Sequence, residues 1–211
     1  MRVFTFLLLC FCFANKLCGF ELQSGDILFQ DGSNNGFNSA IRSVTTSIEN
    51  YHFTHCGIYF VDSIGNSFVI EAISNGVVLT AINDFVNRYL TSDNKPKIVV
   101  GRLADSLQSI IPSVMQNALS YLGRNYDNSF DLTNDEIYCS ELIYFSYIDN
   151  SGINVFSTNP MTFIDINTNE THIYWQKHFN LLGIPVPEGK EGINPGGISK
   201  SPKIDILFYY Y

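Results

Sequence analysis

Basic residues are scarce in this chain. Twelve Lys and Arg stand against 20 Asp and Glu, a formal net charge of -8. A ligand built on a phosphate backbone needs a basic face, so nucleic acid is not expected as a partner. Charge of either sign is also low, at 15% of residues, while 45% are hydrophobic. That composition excludes a disordered or low-complexity chain. There is no internal repeat, phosphate loop, dinucleotide fingerprint or HExxH motif. No pair of cysteines has metal-ligand spacing. What remains is 211 residues, enough for one ordinary domain or two small ones with a real core.

Long apolar runs are limited to one. Residues 3–14 are apolar apart from Thr5 and follow Arg2. The run is short for a membrane-spanning helix, and a basic start with small residues afterwards describes a secretory signal. The expected division is a signal over residues 1–19 and a single domain over 20–211. Cleavage falls after Ala14 or after Gly19. Lipid attachment at Cys18 is the alternative, and it is the one route by which a membrane becomes a partner. The expected location is therefore periplasmic, extracellular or lipid-anchored. Removing Arg2 and Lys16 takes the net charge from -8 to -10. It also leaves only Cys56 and Cys139 of the five cysteines, which is no disulfide framework.

The remainder predicts an α+β fold with a small, mostly antiparallel sheet. Residues 26–29, 53–61, 67–73, 77–82 and 98–103 are aromatic or β-branched and predict strands. Five residues join the second to the third, a hairpin length. Residues 31–38 are rich in Gly, Ser and Asn and predict a loop. Residues 112–122 predict a helix that begins with Pro112 and stops at Gly123. Residues 138–148 predict a second helix, apolar nearly all round and hence central. Thr133-x-x-Glu136 or Asp135 marks its start. Residues 171–182 predict a third, ending at Gly183, and the Pro- and Gly-rich stretch 183–202 predicts an extended surface segment.

Three residues carry candidate chemistry. Cys139 lies near the start of the buried helix, where a helix N-terminus or a protonated histidine would turn its thiol into a nucleophile. The alternative is a buried small hydrophobe. His55 lies in a strand. Alternation puts Phe53, His55, Gly57 and Tyr59 on one face and Thr54, Cys56, Ile58 and Phe60 on the other. Cys56 therefore points away from His55 and is assigned to the core. Glu71 interrupts an apolar strand. If the hairpin centres on Ile64, Glu71 sits opposite Gly57 and shares a face with His55. It could then orient the imidazole; a slip of one residue would turn it to the other face. Zinc is the competing use. His52, His55 and Cys56 are close in sequence, but His172 and His178 are distant and a closed site needs four ligands. Neither a metal nor another cofactor is expected.

Five motifs then fall in order: GDILFQ (25–30), THCGIYF (54–60), VIEAI (69–73), LGRNYDNSF (122–130) and YCSEL (138–142). Together with the segment 183–202 they resemble the permuted papain-like hydrolases of the YiiX/YaeF type, within the NlpC-like superfamily. The resemblance covers most of the chain after the signal. It implies a circularly permuted papain-like fold, a small antiparallel sheet packed on the helix that carries the cysteine. It also implies Cys139 as nucleophile, His55 as base and Glu71 as orienting residue, with the helix starting close to Cys139 instead of Thr133. The Cys139 N–H is one expected oxyanion donor. Gln30 or Tyr126 is the candidate for the second oxyanion or substrate contact. Asp26 and Asp127 are expected to fix turns.

The expectation for function is an exported thiol hydrolase, amidase- or peptidase-like, that cleaves an amide or ester through a Cys139 thioester. The substrate is a small amide, a peptide or a lipid. Two alternatives stay open: a lipid-directed acyltransferase or esterase, and a non-catalytic binding protein that keeps the fold.

Overall fold

The computed structural model describes residues 20–211 and the backbone of Lys16 and Leu17. The expected signal, residues 1–19, otherwise lies outside the described residues. The backbone of Lys16–Leu17 pairs antiparallel with Phe20–Glu21.

One six-stranded sheet organises the rest. Its strands are β1 (Ile27–Gln30), β2 (His55–Val61), β3 (Ser67–Ile73), β4 (Gly76–Ala81), β5 (Ile98–Leu103) and β6 (Ile204–Tyr209). They lie in the order β6-β5-β1-β2-β3-β4, and every neighbouring pair is antiparallel. The sheet agrees with the expected strands except at its edge. β6 was not anticipated, and it closes the side of β5 that would otherwise expose a row of unpaired amides.

The helices are α1 (Gly36–Val44), α2 (Ile82–Val86), α3 (Ile111–Ser120), α4 (Cys139–Ser146), α5 (Ile173–Leu182) and α6 (Pro195–Ser199). Two corrections follow. The loop expected over residues 31–38 gives way to α1, because Asn35 accepts the Asn38 N–H and caps a helix inside a polar stretch. The expected extended segment 183–202 contains α6, which Asn194 caps in the same way through the Gly197 N–H. Gly183 does stop α5. It adopts φ 69, a left-handed conformation that closes a helix at little cost only for glycine.

Alternation along the strands separates two cores. Ile27, Phe29, Cys56, Ile58, Ile70 and Ala72 face α3 and α4. Leu28, Tyr59, Val69 and Val100 face Phe85 and Val86 of α2. Each fully buried Leu, Ile or Phe contributes about 1.5–3 kcal/mol, so this layer holds α4 firmly on the sheet. A polar anchor fixes its far end: the buried Tyr147 hydroxyl donates to the Gly25 carbonyl at 2.7 Å. The helix that carries the cysteine is thus pinned across the strand that carries the histidine.

Candidate active site

Cys139 is the first residue of α4. Its start is fixed from several directions. The Tyr138 N–H donates to the Glu141 carboxyl at 3.0 Å, the Ser140 hydroxyl to the Ile193 carbonyl at 2.9 Å, and the Ile193 N–H to the Tyr138 hydroxyl at 3.1 Å. The earlier stretch is turn, not helix. Asp131 accepts from the Thr133 N–H and hydroxyl, and Asn134 from the Glu136 N–H. The Thr133 start is therefore excluded, and Cys139 sits in the first turn, where the helix dipole favours a thiolate.

His55 opens β2, and the register delivers Glu71 to it. The pairs Ile58↔Ile70, Tyr59↔Val69 and Val61↔Ser67 centre the hairpin on Ile64, as expected. Gly57 allows the close approach. A Cβ built there would lie 2.4 Å from Val69 Cγ1 and 3.2 Å from Glu71 Cβ. The Glu71 Oε2 then lies 2.5 Å from His55 Nε2. That contact leaves Nδ1 as the ring nitrogen for the thiol.

Glu71 is fully buried and fully engaged. Arg88 donates to both carboxylate oxygens, 2.8 Å to Oε2 and 2.5 Å to Oε1. The Thr80 hydroxyl donates to Oε1 at 2.5 Å. Such bidentate, charge-assisted bonds are the strong kind. Burial opposes ionisation of Glu71, yet Arg88 and His55 together hold its carboxyl well below the usual range. Neither Arg88 nor Thr80 was anticipated. Thr80 had a signal, since it lies opposite Val69 on the neighbouring strand and diagonal to Glu71. Arg88 lies just beyond α2 and carried no pattern tying it to Glu71.

Electrostatics bind the three residues into one unit. Burial pulls the His55 pKa down, but hydrogen bonds to Cys139 and Glu71 outweigh it and lift the value to about 9. For Cys139, a hydrogen bond from the Cys56 thiol and the neighbouring His55 imidazole hold the thiol well below its ordinary range, against burial. Both shifts favour the thiolate and imidazolium forms of the pair. Cys56 lies in the core on the face opposite His55, as alternation requires. That same face puts its side chain beside Cys139, a placement that alternation along the strand does not predict. Burial pushes the Cys56 thiol well up, and Cys139 adds to the rise.

Tyr126 and Gln30 separate. Tyr126 lines two adjoining cavities, one opening at Cys139 and one at His55. Gln30 is paired opposite His55, but its amide donates to the Phe85 carbonyl at 2.9 Å and it lines neither cavity. The Cys139 N–H lies at the N-terminal end of α4. Asp26 and Asp127 fix turns as expected. Asp26 accepts from the Gln23 N–H and from Arg102, and Asp127 from Ser129 and the Asp131 N–H.

His172 and His178 are engaged elsewhere. His172 Nδ1 accepts from the Tyr174 N–H, and His178 Nε2 bonds the Asn128 carbonyl at 2.7 Å. Among the described residues, no three His, Cys, Asp or Glu side chains gather in a way that could hold a metal ion.

The sequence model of the permuted papain-like amidase family, YaeF/YiiX (C92), matches residues 21–208. The uncharacterized protein YiiX of Escherichia coli K12 is 25% identical over 183 residues, 86% of this chain and 84% of that protein. A crystal structure described as metalloprotein yiiX of Escherichia coli O157:H7 has a TM-score of 0.72 at 23% identity, covering 89% of this chain and 97% of that one. That last likeness speaks for the fold.

Proposed function

Because the chain belongs to the permuted papain-like amidase family, we propose that it works as a thiol hydrolase with Cys139 as nucleophile, His55 as acid and base, and Glu71 as orienting residue. Family membership supports a cysteine hydrolase of amidase type. The observation that carries the residue roles is the thiol at the first residue of α4, in hydrogen-bonding reach of an imidazole that Glu71 grips at 2.5 Å.

The cycle follows from that arrangement. The Cys139 sulfur attacks the substrate carbonyl, and the oxyanion is met by the Cys139 N–H and by Tyr126 at the cavity wall. As the C–N or C–O bond breaks, the leaving atom takes the proton from His55. Water then gives a proton to His55 and attacks the thioester; the acid leaves, and the proton returns the pair to its resting state. Glu71 does not transfer the proton. It fixes the ring and stabilises its cationic form. Arg88 and Thr80 keep Glu71 ionised and immobile.

The direct test is mass spectrometry of the intact protein after brief incubation with amide and ester substrates. An acyl adduct on the Cys139 peptide supports the reading. Turnover with the acyl group on another residue, or full activity in Cys139→Ala, would sink it. Residues 1–19 fit this role as an export signal, with lipidation at Cys18 as the alternative. N-terminal sequencing of the secreted or membrane fraction distinguishes the two, and an intact Met1 in all fractions contradicts both.

A further inference from the structure

We infer that Cys56 and Cys139 form a reversible redox pair, in which a peroxide oxidises Cys139 and Cys56 captures it as a disulfide. The inference goes beyond the hydrolase reading and stands without it. Two free thiols belong to one core here. Cys56 projects from β2 onto the face that α4 covers, and Cys139 is the first residue of α4. Their side chains lie in hydrogen-bonding reach of each other. An S–S bond is shorter than such a contact, so one side must yield a little. β2 has that freedom at Cys56. The residue pairs with Phe29 of β1 on one side, while the ladder to β3 stops at Ile58. Access assigns the two parts. Cys139 stands in a cavity wall, whereas Cys56 is fully buried and lines neither cavity at the site. A small oxidant therefore meets Cys139 first. That thiol is also the one held below its ordinary range, so it presents the thiolate that peroxides oxidise.

The steps balance with hydrogen peroxide as the oxidant. The Cys139 thiolate attacks one peroxide oxygen, the O–O bond breaks, and the departing hydroxide takes a proton from His55 and leaves as water. Cys139 is then a sulfenic acid. The Cys56 sulfur attacks the Cys139 sulfur, the S–O bond breaks, and the hydroxyl leaves as water with the Cys56 thiol proton. Two electrons have passed from the two sulfurs to the peroxide. A protonated thiol attacks slowly from solution, but Cys56 is held against its target, and position offsets that handicap. The disulfide occupies the Cys139 sulfur and so halts thiol chemistry there. It also forestalls a second peroxide, which would carry the sulfenic acid on to sulfinic acid, a form that dithiols do not reverse. A dithiol reductant returns both thiols from the disulfide by exchange.

Peroxide titration of the full chain, followed by peptide mapping without reductant, tests the pair. Remaining thiols are alkylated before digestion so that bonds do not reshuffle. A peptide joining Cys56 to Cys139 should appear, lighter than its two parts by two hydrogens, and dithiothreitol should restore both thiols. Cys56→Ser removes the resolving sulfur and should raise sulfinic and sulfonic acid at Cys139 by about tenfold or more at equal peroxide. The wild-type map decides the matter even if that variant fails to fold. Sulfinic acid at Cys139 without the crosslink, equal overoxidation in the two proteins, or a bond from Cys139 to Cys10, Cys12 or Cys18 instead overturns the inference. Turnover of amide and ester substrates, read on the same samples, should fall and return in step with the crosslink. A crosslink in a protein whose reduced form shows no turnover and no acyl adduct at Cys139 sinks the hydrolase reading and leaves the redox pair standing.

Discussion

Cys56 and Cys139 are both buried, belong to the same core and interact with each other, yet their thiols are driven in opposite directions. Cys56 sits mid-sheet, with apolar neighbours and no cation, and burial keeps it protonated. Cys139 sits at the first residue of a helix, accepts a hydrogen bond from Cys56 and faces His55. Burial alone therefore makes an inert thiol. The helix start, a donor and a nearby imidazolium are what reverse the sign. The inert cysteine also serves the reactive one, because its raised pKa is what lets it remain a donor.

The largest break in this comparison is removal of the proposed nucleophile. Cys139→Ala should lower kcat by about 10⁴-fold or more with the fold intact, measured by steady-state turnover and circular dichroism. Glu71→Gln comes next. An amide would donate to His55 Nε2 and enforce the wrong tautomer, lowering kcat by about a thousandfold. Arg88→Ala attacks the same carboxylate from behind. It leaves Glu71 buried with less compensation and should lower unfolding free energy by about 3 kcal/mol, the low end for a buried pair, because the Arg88 side chain is 25% exposed. Denaturant titration reads that loss.

Smaller effects sharpen the role of Cys56. Cys56→Ala removes a donor to the thiolate and should raise the Cys139 pKa and slow turnover at neutral pH by about tenfold. Cys56→Ser keeps a donor and should stay within about threefold of the wild type. Equal losses in the two variants would mean that Cys56 only fills space. The pH profile gives the gentlest test. The His55 pKa is raised from 6.5 to about 9, so the imidazolium persists through neutral pH and kcat/KM should fall only as pH rises through about 9. The same shift has a stability counterpart: its contribution is complete below pH 6.5 and is lost as pH passes about 9.

Much of this site is legible in the residues themselves. The five-residue connection between two alternating strands centres the hairpin on Ile64, and with Gly57 opposite it the pairing of His55 with Glu71 follows. Tyr-Cys-Ser-Glu-Leu marks the start of the cysteine helix. Alternation says that Cys56 faces away from His55, but not that Cys139 waits on that face, because nothing local encodes which helix packs there. Arg88 is harder still. It follows a short helix that the residues 77–82 did not announce, and only the folded chain brings it to Glu71. β6 hides for a similar reason, since its partner β5 lies about a hundred residues earlier and the Pro- and Gly-rich stretch before it obscures its alternation.

The central claim is that two neighbouring, buried thiols have opposite character, and peptide-resolved alkylation tests it most directly. The native protein is treated with iodoacetamide across a pH series and the modification of each cysteine is followed by mass spectrometry. Cys139 should be modified rapidly well below pH 8 while Cys56 stays unmodified until the protein unfolds. Equal labelling of the two, or labelling of Cys139 that begins only near the pH of an ordinary thiol, would contradict the account.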